Sequence, residues 1–228
     1  MTSAAVPVIA IDGPSGSGKG TIARAVARRL GWHLLDSGAL YRLTALASQS
    51  AGVDLADAPR VAQAAAGMDV QFGSTDDADE LIRLDGRDVT GEVRSEAAGH
   101  AASVVAQHPP VRAALIGRQR AFAHPPGLVA DGRDMGTVIF PSAGLKLFLT
   151  ADVDERAQRR HKQLKDKGID ASLAALFLEI AERDKRDSTR AVAPLRPSED
   201  AVVLDSTRLT IDEVVATVLG LAKARGYF

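Results

Sequence analysis

A glycine-rich loop near the start of the chain constrains the fold most strongly, because it stands between an apolar run and an amphipathic segment. The loop covers residues 13–21, reads Gly-Pro-Ser-Gly-Ser-Gly-Lys-Gly-Thr and contains the spacing G-x-x-x-x-G-K. Residues 7–11 form the apolar run before it, and Ile22, Val26 and Leu30 recur at helical spacing after it. Strand, loop and helix in this order predict a loop whose backbone N–H groups surround a phosphate.

The same alternation of short apolar runs and helical patterns continues along the chain. Further strands are predicted at 32–35, 128–130, 145–149 and 202–204, with helical patterns between them. Such strands predict an α/β fold, with a parallel sheet covered by helices on both faces. Three of the strands end at an acid, namely Asp36, Asp131 and Asp205. These acids are therefore predicted at the carboxyl edge of the sheet, where α/β folds bind ligands.

Residues 68–90 interrupt the alternation with short runs at 70–72, 81–84 and 87–89. The pair Asp85-Gly86 between two of these runs is a strong hairpin signal, so we predict a small antiparallel insert. An alanine-rich helix is predicted over 94–107, ended by Pro109 and Pro110, and the next helix over 111–122.

Composition narrows the class of protein. With 228 residues and a formal charge of -1, one α/β domain with an insertion fits, and no bulk charge attracts a nucleic-acid polymer or a membrane. The chain has no cysteine and no apolar stretch of about 18 residues, and its beginning lacks a signal-peptide pattern, which together predict a cytoplasmic protein. None of the five histidines has a partner at metal-ligand spacing, so no protein-held metal is expected.

The loop predicts a nucleotide triphosphate as ligand, because Lys19 is placed to reach the β and γ phosphates. The predicted ATP-binding residues are Gly13, Pro14, Ser15, Gly16, Ser17, Gly18, Lys19, Gly20 and Thr21. Gly20 stands where a Ser or Thr hydroxyl usually binds magnesium, so the metal contact is open at this point. A GTPase is disfavoured because the chain contains no asparagine and so no N-K-x-D motif. The alternative to a nucleotide site is a purely structural glycine-rich turn.

Four motifs in order point to a family: Asp-Ser-Gly-Ala-Leu-Tyr-Arg at 36–42, Asp-Gly-Arg-Asp-Met-Gly-Thr at 131–137, Ala-Val-Ala-Pro-Leu at 191–195 and Leu-Asp-Ser-Thr at 204–207. Together with the loop, they resemble bacterial cytidylate kinases of the P-loop nucleoside monophosphate kinase group, from about residue 7 to about residue 210. The resemblance implies a monomeric enzyme that phosphorylates CMP or dCMP with ATP and Mg²⁺.

The resemblance also assigns contacts to the phosphate and sugar of the acceptor. Its phosphate-binding positions are Arg42, Arg133 and Arg190, and its sugar-contacting positions are Arg183 and Asp187. Ser37 lies where the family approaches both the sugar and the phosphate. Guanidinium groups suit a phosphate because each donates two parallel hydrogen bonds to its oxygens. A different explanation stays open for Arg183, Asp187 and Arg190, because an ion-pair ladder along one helix face, worth about 0.2–0.5 kcal/mol per pair, also accounts for them.

The cytosine base is assigned to three positions of the family, Asp134, Ser103 and Arg112. Asp134 is able to accept a hydrogen bond from N4, while Ser103 and Arg112 donate to N3 and O2. The carboxylate of Asp134 disfavours uracil, because the O4 of uracil cannot donate a hydrogen bond. By spacing alone, Ser103 is an ordinary helix serine. Asp131 is left outside the catalytic set, as a Walker B-like or capping acid.

A basic helix follows the strand at 145–149. Its cations are Arg156, Arg159, Arg160, Lys162, Lys165 and Lys167. Such a helix is often only a solvated face, but beside a phosphate loop we predict a lid over 153–171 whose Arg159 or Arg160 contacts the transferred phosphoryl group. The predicted catalytic set is therefore Lys19, Arg133, Arg159 and Arg160. The core is predicted at 1–64, 106–152 and 172–228, with the monophosphate-binding insert at 65–105.

Two other functions remain open at this stage. One is a P-loop kinase whose arginines bind a different small anionic acceptor. The other is a nucleotide-binding regulator that hydrolyses ATP or GTP slowly and binds a macromolecule, since a phosphate loop alone does not determine function.

Overall fold

The computed structural model describes residues 6–75, 78–166 and 168–228. It divides into two compact units, which are described separately. The core unit comprises Met1–Asp36 and Arg120–Phe228, and the insert unit comprises Ser37–Gln119. No helix among the described residues is long and apolar enough to cross a membrane.

The strands of both units are numbered in chain order. They are β1 (Val8–Asp12), β2 (His33–Asp36), β3 (Val70–Thr75), β4 (Ala78–Leu84), β5 (Arg87–Asp88), β6 (Leu128–Gly132), β7 (Leu145–Thr150) and β8 (Val202–Asp205). The helices are α1 (Lys19–Leu30), α2 (Ser37–Ser50), α3 (Ala58–Gly67), α4 (Thr90–Val93), α5 (Glu96–Val105), α6 (Pro109–Arg120), α7 (Val153–Asp166), α8 (Leu173–Thr189) and α9 (Ile211–Ala224). A short π-helix covers Met135–Ile139.

Within the described residues, the core unit holds a five-stranded sheet in the order β2-β6-β1-β7-β8, and every pairing is parallel. All five residues of β1 are buried. Because successive side chains of a strand point to opposite faces, this burial shows that both faces of β1 are covered. The predicted α/β fold is therefore confirmed.

The core of this unit lies where α1 and α9 cover the sheet. It includes Ile9, Ile11, Val26, Val129 and Val215, all almost completely buried. Helix α9 begins with a capping box, in which Thr210 and Glu213 each accept from the backbone N–H of the other. Apolar packing and a satisfied helix start thus fix α9 on the sheet.

The strand order determines which loops meet at the carboxyl edge. Strand β1 lies between β6 and β7, with Asp12 beside Gly132 and Phe148. The glycine-rich loop after β1 and the segment after β6 are therefore neighbours. The predicted edge acids are found there too, since Asp36 lies beside Asp131 in the pairing of β2 with β6.

The insert unit carries the predicted antiparallel hairpin. Among the described residues, β3, β4 and β5 form an antiparallel sheet, and Asp85 and Gly86 both have positive φ, 50° and 80°. Positive φ at both central residues is typical of the type I′ turn that the Asp-Gly pair predicts. Helix α5 is shorter than the predicted 94–107, because Ser95 caps its start by accepting from the N–H of Ala98.

The predicted basic helix is α7, which is packed against α8. It ends at Asp166, and Lys167 lies outside the described residues. Helix α8 starts anew after Ser172, whose side chain accepts from the N–H of Ala175. The predicted division into core, monophosphate-binding insert (65–105) and lid (153–171) stays a prediction.

Candidate active site

The glycine-rich loop leaves no room for side chains at its first position. A Cβ added at Gly13 would lie 2.0 Å from the backbone oxygen of Leu149 in β7. Gly18 has φ 86° and forms the N-cap of α1, a left-handed conformation that glycine adopts without strain. The loop therefore passes tightly over the sheet edge and leads directly into the N-terminus of α1, where unpaired N–H groups favour an anion.

Lys19 is the first residue of α1 and its side chain is buried. Its Nζ donates to the backbone oxygen of Pro14 at 3.2 Å, which holds the ammonium group inside the loop. Burial lowers the pKa of Lys19 to about 8, aided by the positive charges of Arg133 and Arg183 and opposed by Asp131 and Asp187. The lysine thus lies among cations whose effect Asp131 and Asp187 offset only in part.

Gly20 accounts for the departure from the usual loop sequence. A Cβ at this position would lie 3.1 Å from Oδ2 of Asp131 at the end of β6. The space of the usual Ser or Thr side chain is therefore occupied by a carboxylate, and carboxylate oxygen is a ligand that Mg²⁺ prefers. The described residues contain no group of three or more His, Cys, Asp or Glu able to hold a metal. Asp131 fits a magnesium ion that is bound mainly by phosphate and water.

An ion pair joins the segment after β6 to α8. Arg133 donates from Nε to Oδ2 of Asp187 at 2.8 Å, and both side chains are largely buried, with 17% and 9% exposed. Burial opposes the charge of Asp187, but Arg133, Arg183 and Arg190 hold its pKa below the usual value. Burial likewise opposes the charge of Arg133, and Asp187 raises the pKa of this guanidinium above its usual value. Asp187 therefore pairs outside its own helix, so an intrahelical ladder is not its whole explanation.

The remaining predicted residues of the core unit lie around this pair. Arg190 follows α8 directly and donates from Nε to the backbone oxygen of Ala193 at 2.5 Å. Asp134 is buried and forms the N-cap of the π-helix. The charge of Arg183 acts on both Lys19 and Asp187. Cations from the loop, from the residues that follow β6 and from α8 therefore act on one another in this unit.

Four predicted residues lie in the insert unit. Ser37 begins α2 and is buried, and Arg42 on the same helix donates to the backbone oxygen of Val93 at 2.8 Å. Ser103 is buried in α5, and its Oγ has no hydrogen-bond partner in the described part of the chain. The guanidinium carbon of Arg112 lies 5.7 Å from the ring centre of Tyr41. A buried hydroxyl without a partner is unusual, which makes Ser103 available for a ligand.

The arginines of the predicted lid differ in their surroundings. Arg159 donates to Glu155 at 2.8 Å and to the backbone oxygen of Ser206 at 2.7 Å. Arg160 donates to Oε1 of Gln163 at 3.1 Å. Their contact with a transferred phosphoryl group stays a prediction.

Arg156 has a connecting role that its sequence position did not reveal. Its side chain is 4% exposed and donates to the backbone oxygens of Ala151 at 2.8 Å and Ser15 at 3.0 Å. It also pairs with Asp184 of α8, with 2.6 Å between NH2 and Oδ2. Arg156 therefore ties the glycine-rich loop to α8, whereas a cation in the first turns of a basic helix is usually solvated.

Asp12, the last residue of β1, is a second residue that the sequence interpretation missed. Its carboxylate accepts from the backbone N–H groups of Met135 and Gly136, each at 2.8 Å. Burial raises the pKa of Asp12 to about 7, the two N–H groups oppose the rise, and the charges of Asp134 and Asp131 add to it. The signal was present, since β1 ends at an acid just as β2 and β8 do.

Comparison with known proteins shows which family this chain belongs to. The family model described as cytidylate kinase matches residues 9–224. Cytidylate kinase from Pseudomonas paraeruginosa is 57% identical over 99% of each chain, and cytidylate kinase from Azotobacter vinelandii is 58% identical over 96% of each chain. The solved structure of shikimate kinase from Bacteroides thetaiotaomicron is also similar, with 12% identity and a TM-score of 0.44 over 96% of this chain and 99% of that one. The predicted family is confirmed: this chain is a phosphotransferase that belongs to the cytidylate kinase family.

Proposed function

We propose that this chain transfers the γ-phosphoryl group of MgATP to CMP or dCMP, forming ADP and CDP or dCDP by direct in-line transfer. One observation carries the proposal: Lys19 of the phosphate loop is buried close enough to Arg133, Arg183 and Asp187 for their charges to change its pKa. A cation for the donor phosphates thus lies beside cations suited to an acceptor phosphate. The names of the relatives, cytidylate kinases, support the same substrates.

The donor phosphates bind to the loop of residues 13–21 at the N-terminus of α1. Lys19 contacts the β and γ phosphates there, and the unpaired N–H groups of the helix start add hydrogen bonds. Mg²⁺ enters with ATP and neutralises the charge that develops on the phosphate oxygens. Asp131, beside Gly20, is the residue that would orient water molecules around this ion.

The acceptor phosphate binds to Arg133 and Arg190, with Asp187 and Arg183 toward the sugar. Asp134 reads the base, and Ser37, Arg42, Ser103 and Arg112 of the insert unit stay predicted contacts of the same nucleotide. No general base is needed, because the attacking phosphate oxygen is already anionic. Arg159 or Arg160 stabilises the transferred group, and closure of the lid excludes water, so that the γ-phosphoryl group passes to the acceptor and not to water.

The direct test is ADP formation from MgATP with CMP, dCMP, UMP, AMP and GMP in parallel. Turnover with CMP and dCMP well above the other acceptors is the expected result. Equal inactivity with all five would disprove the kinase reaction and favour a nucleotide-binding regulator. A monomeric state and a cytoplasmic location also stay predictions.

We expect Asp134→Ala to weaken discrimination between CMP and UMP. The ratio of their kcat/KM values should fall by about 5- to 150-fold, because one well-made base contact is worth about 1–3 kcal/mol. Steady-state kinetics with both acceptors measures the ratio. Asp57→Ala is the matched control, since Asp57 caps α3 and its removal lowers stability without touching a predicted site residue. An unchanged ratio in Asp134→Ala would contradict the base assignment.

We also expect nucleotide binding to take up a proton at pH 8.5. The lowered pKa of Lys19, about 8, leaves this side chain mostly neutral at that pH. Bound phosphates raise its pKa again, so roughly 0.5–0.8 proton should be taken up with MgADP. Calorimetry in buffers of different protonation enthalpy measures this number, and Lys19→Arg, which does not titrate, should show none. Binding to the native chain without uptake would show that Lys19 does not receive the phosphates.

A further inference from the structure

The carboxylate of Asp12 connects the phosphate loop, where the donor is proposed to bind, to the residues after β6, where the acceptor is proposed to bind. Asp12 directly precedes Gly13, the first residue of the phosphate loop, and lies beside Gly132 in the pairing of β1 with β6. Its two oxygens accept from the N–H groups of Met135 and Gly136, and the residue is 5% exposed. The segment that it holds begins at Met135, one residue after Asp134. Arg133 and Asp134, the proposed contact of the base, therefore lie between Gly132, which is fixed in the sheet, and Met135, which is fixed by Asp12.

We propose that Asp12 is a positioning residue: its carboxylate fixes the segment after β6 so that Arg133 and Asp134 are aligned for the acceptor nucleotide, and it thereby sets the preference for cytosine. This inference rests on the proposed function and assigns a role to a residue that contacts neither nucleotide.

The first argument is the geometry of the two hydrogen bonds. Met135 and Gly136 are the first residues of the π-helix, where N–H groups have no partner within the helix. Each N–H meets its own carboxylate oxygen at 2.8 Å, which fixes both the height and the rotation of this helix start. Asp134 is the N-cap of the same helix, so its backbone is joined directly to the helix start and its position depends on that of Met135.

The second argument is the packing around the contact. A Cβ at Gly136 would lie 3.2 Å from Cδ of Lys146 and 3.4 Å from Oδ2 of Asp12, so the segment is enclosed on both sides. The ammonium group of Lys146 is turned away to Pro141 and Asp200, which it contacts at 2.6 and 2.9 Å. Asp12 is therefore not neutralised by this lysine, and the backbone N–H groups are what favour its charge.

The third argument is the environment of the carboxylate. Asp12 is buried, and the charges of Asp131 and Asp134 repel it, which together raise its pKa to about 7. An acid kept in such a position at the expense of stability is typical of a functional site. Replacement by apolar residues would suit the burial better, but it would leave two backbone N–H groups without acceptors.

The test is Asp12→Asn, measured with CMP, UMP and MgATP. Asparagine keeps one acceptor oxygen but turns an NH₂ group toward the other N–H, so one hydrogen bond is lost. The expected kcat/KM for CMP falls by about 10-fold or more, and the CMP to UMP ratio falls with it. The dissociation constant of MgADP measured without acceptor should stay within about twofold, because the side chain does not hold the phosphate loop.

A second variant perturbs the same contact from the other side. In Gly136→Ala the new methyl group presses on Lys146 and Asp12, and the CMP to UMP ratio should again fall while MgADP binding stays. The control is Val218→Ala in α9, a buried core residue that lowers stability without contacting the segment. Its CMP to UMP ratio should equal that of the native chain at a temperature where both are folded.

The possible outcomes distinguish a failure of the positioning role from a failure of the proposed kinase function. If the native chain does not phosphorylate CMP, the proposed function fails. If the native chain does so and both Asp12→Asn and Gly136→Ala keep its CMP to UMP ratio, the positioning role is wrong. If Val218→Ala loses the ratio to the same extent, or MgADP binding weakens as much as the acceptor kinetics, Asp12 has only a general structural role and the inference is overturned.

Discussion

Replacement of Lys19 by methionine is expected to lower kcat for phosphoryl transfer by about 10²- to 10³-fold, which is the usual effect of removing one charged group that stabilises a transition state. Methionine has a similar length and no charge, so the loop keeps its packing while the phosphates lose their cation. Burial and the charges of Arg133 and Arg183 lower the pKa of Lys19 to about 8, so its ammonium group destabilises the folded chain. We therefore expect the melting temperature of Lys19→Met to be equal to or above that of the native chain.

The matched control for this change is Lys146→Met, because Lys146 is also a buried lysine of the core unit. Its ammonium group contacts Pro141 and Asp200, away from the phosphate loop. Lys146→Met keeps the methylene chain beside Gly136, so it should retain activity and lose stability. An ADP-coupled assay and thermal unfolding measure both quantities. Residual activity of Lys19→Met within tenfold of the native value would show that another group binds the donor phosphates.

Replacement of Arg133 by alanine is expected to lower kcat/KM for CMP by about 10²- to 10³-fold, because a bidentate phosphate contact is lost in the transition state. It should also destabilise the fold by up to about 3–5 kcal/mol, since the mostly buried Asp187 loses its hydrogen-bonded counter-charge and keeps only the charges of Arg183 and Arg190. The pKa of Asp187 is lowered in the fold, so the pair stabilises the chain above pH 3.8 and loses this effect as the pH falls through the lowered pKa. The stability difference should therefore be full at pH 7 and shrink below about pH 4.

A double-mutant cycle with Asp187→Ala separates stability from catalysis. The double variant should recover part of the stability that Arg133→Ala loses, because no buried carboxylate is left without its hydrogen-bonded partner. Its kcat/KM for CMP should stay low, because neither the phosphate contact nor the predicted sugar contact is restored. Urea unfolding and steady-state kinetics on the four proteins give both couplings. Additive stabilities would mean that the two side chains do not interact in solution, contrary to their 2.8 Å contact.

The parts of the fold that were predictable have local signals. The phosphate loop, the apolar parallel strands and the Asp85-Gly86 turn each depend on residues close in sequence, and the structure places them as expected. In the core sheet the predicted strand boundaries lie within two residues of the observed ones, because buried strands end where polar residues begin. In the insert unit, β3 and β4 each extend three residues beyond the predicted runs. The bounds of α5 were less accurate, since Ser95 starts this helix with a cap and the helical pattern extends beyond it.

The functional residues also differ in whether a local sequence motif marks them. Lys19 and Arg133 stand in motifs and were found, whereas Arg156 stands in an ordinary basic helix and Asp12 before a loop that dominates the pattern. Arg156 contacts Ser15, 141 positions earlier, and Asp12 contacts Met135, 123 positions later. No short window of sequence contains both partners of either contact.

By itself, the sequence determined the order of strands and helices, the phosphate loop and the family, because each follows from local periodicity or from motifs in a defined order. Only the tertiary structure decided that Asp187 pairs with Arg133, that Arg156 ties the loop to α8, and that Asp12 holds the segment after β6. The physical reason is that hydrogen bonds and ion pairs depend on distances of about 3 Å between residues that the parallel sheet brings together from distant parts of the chain.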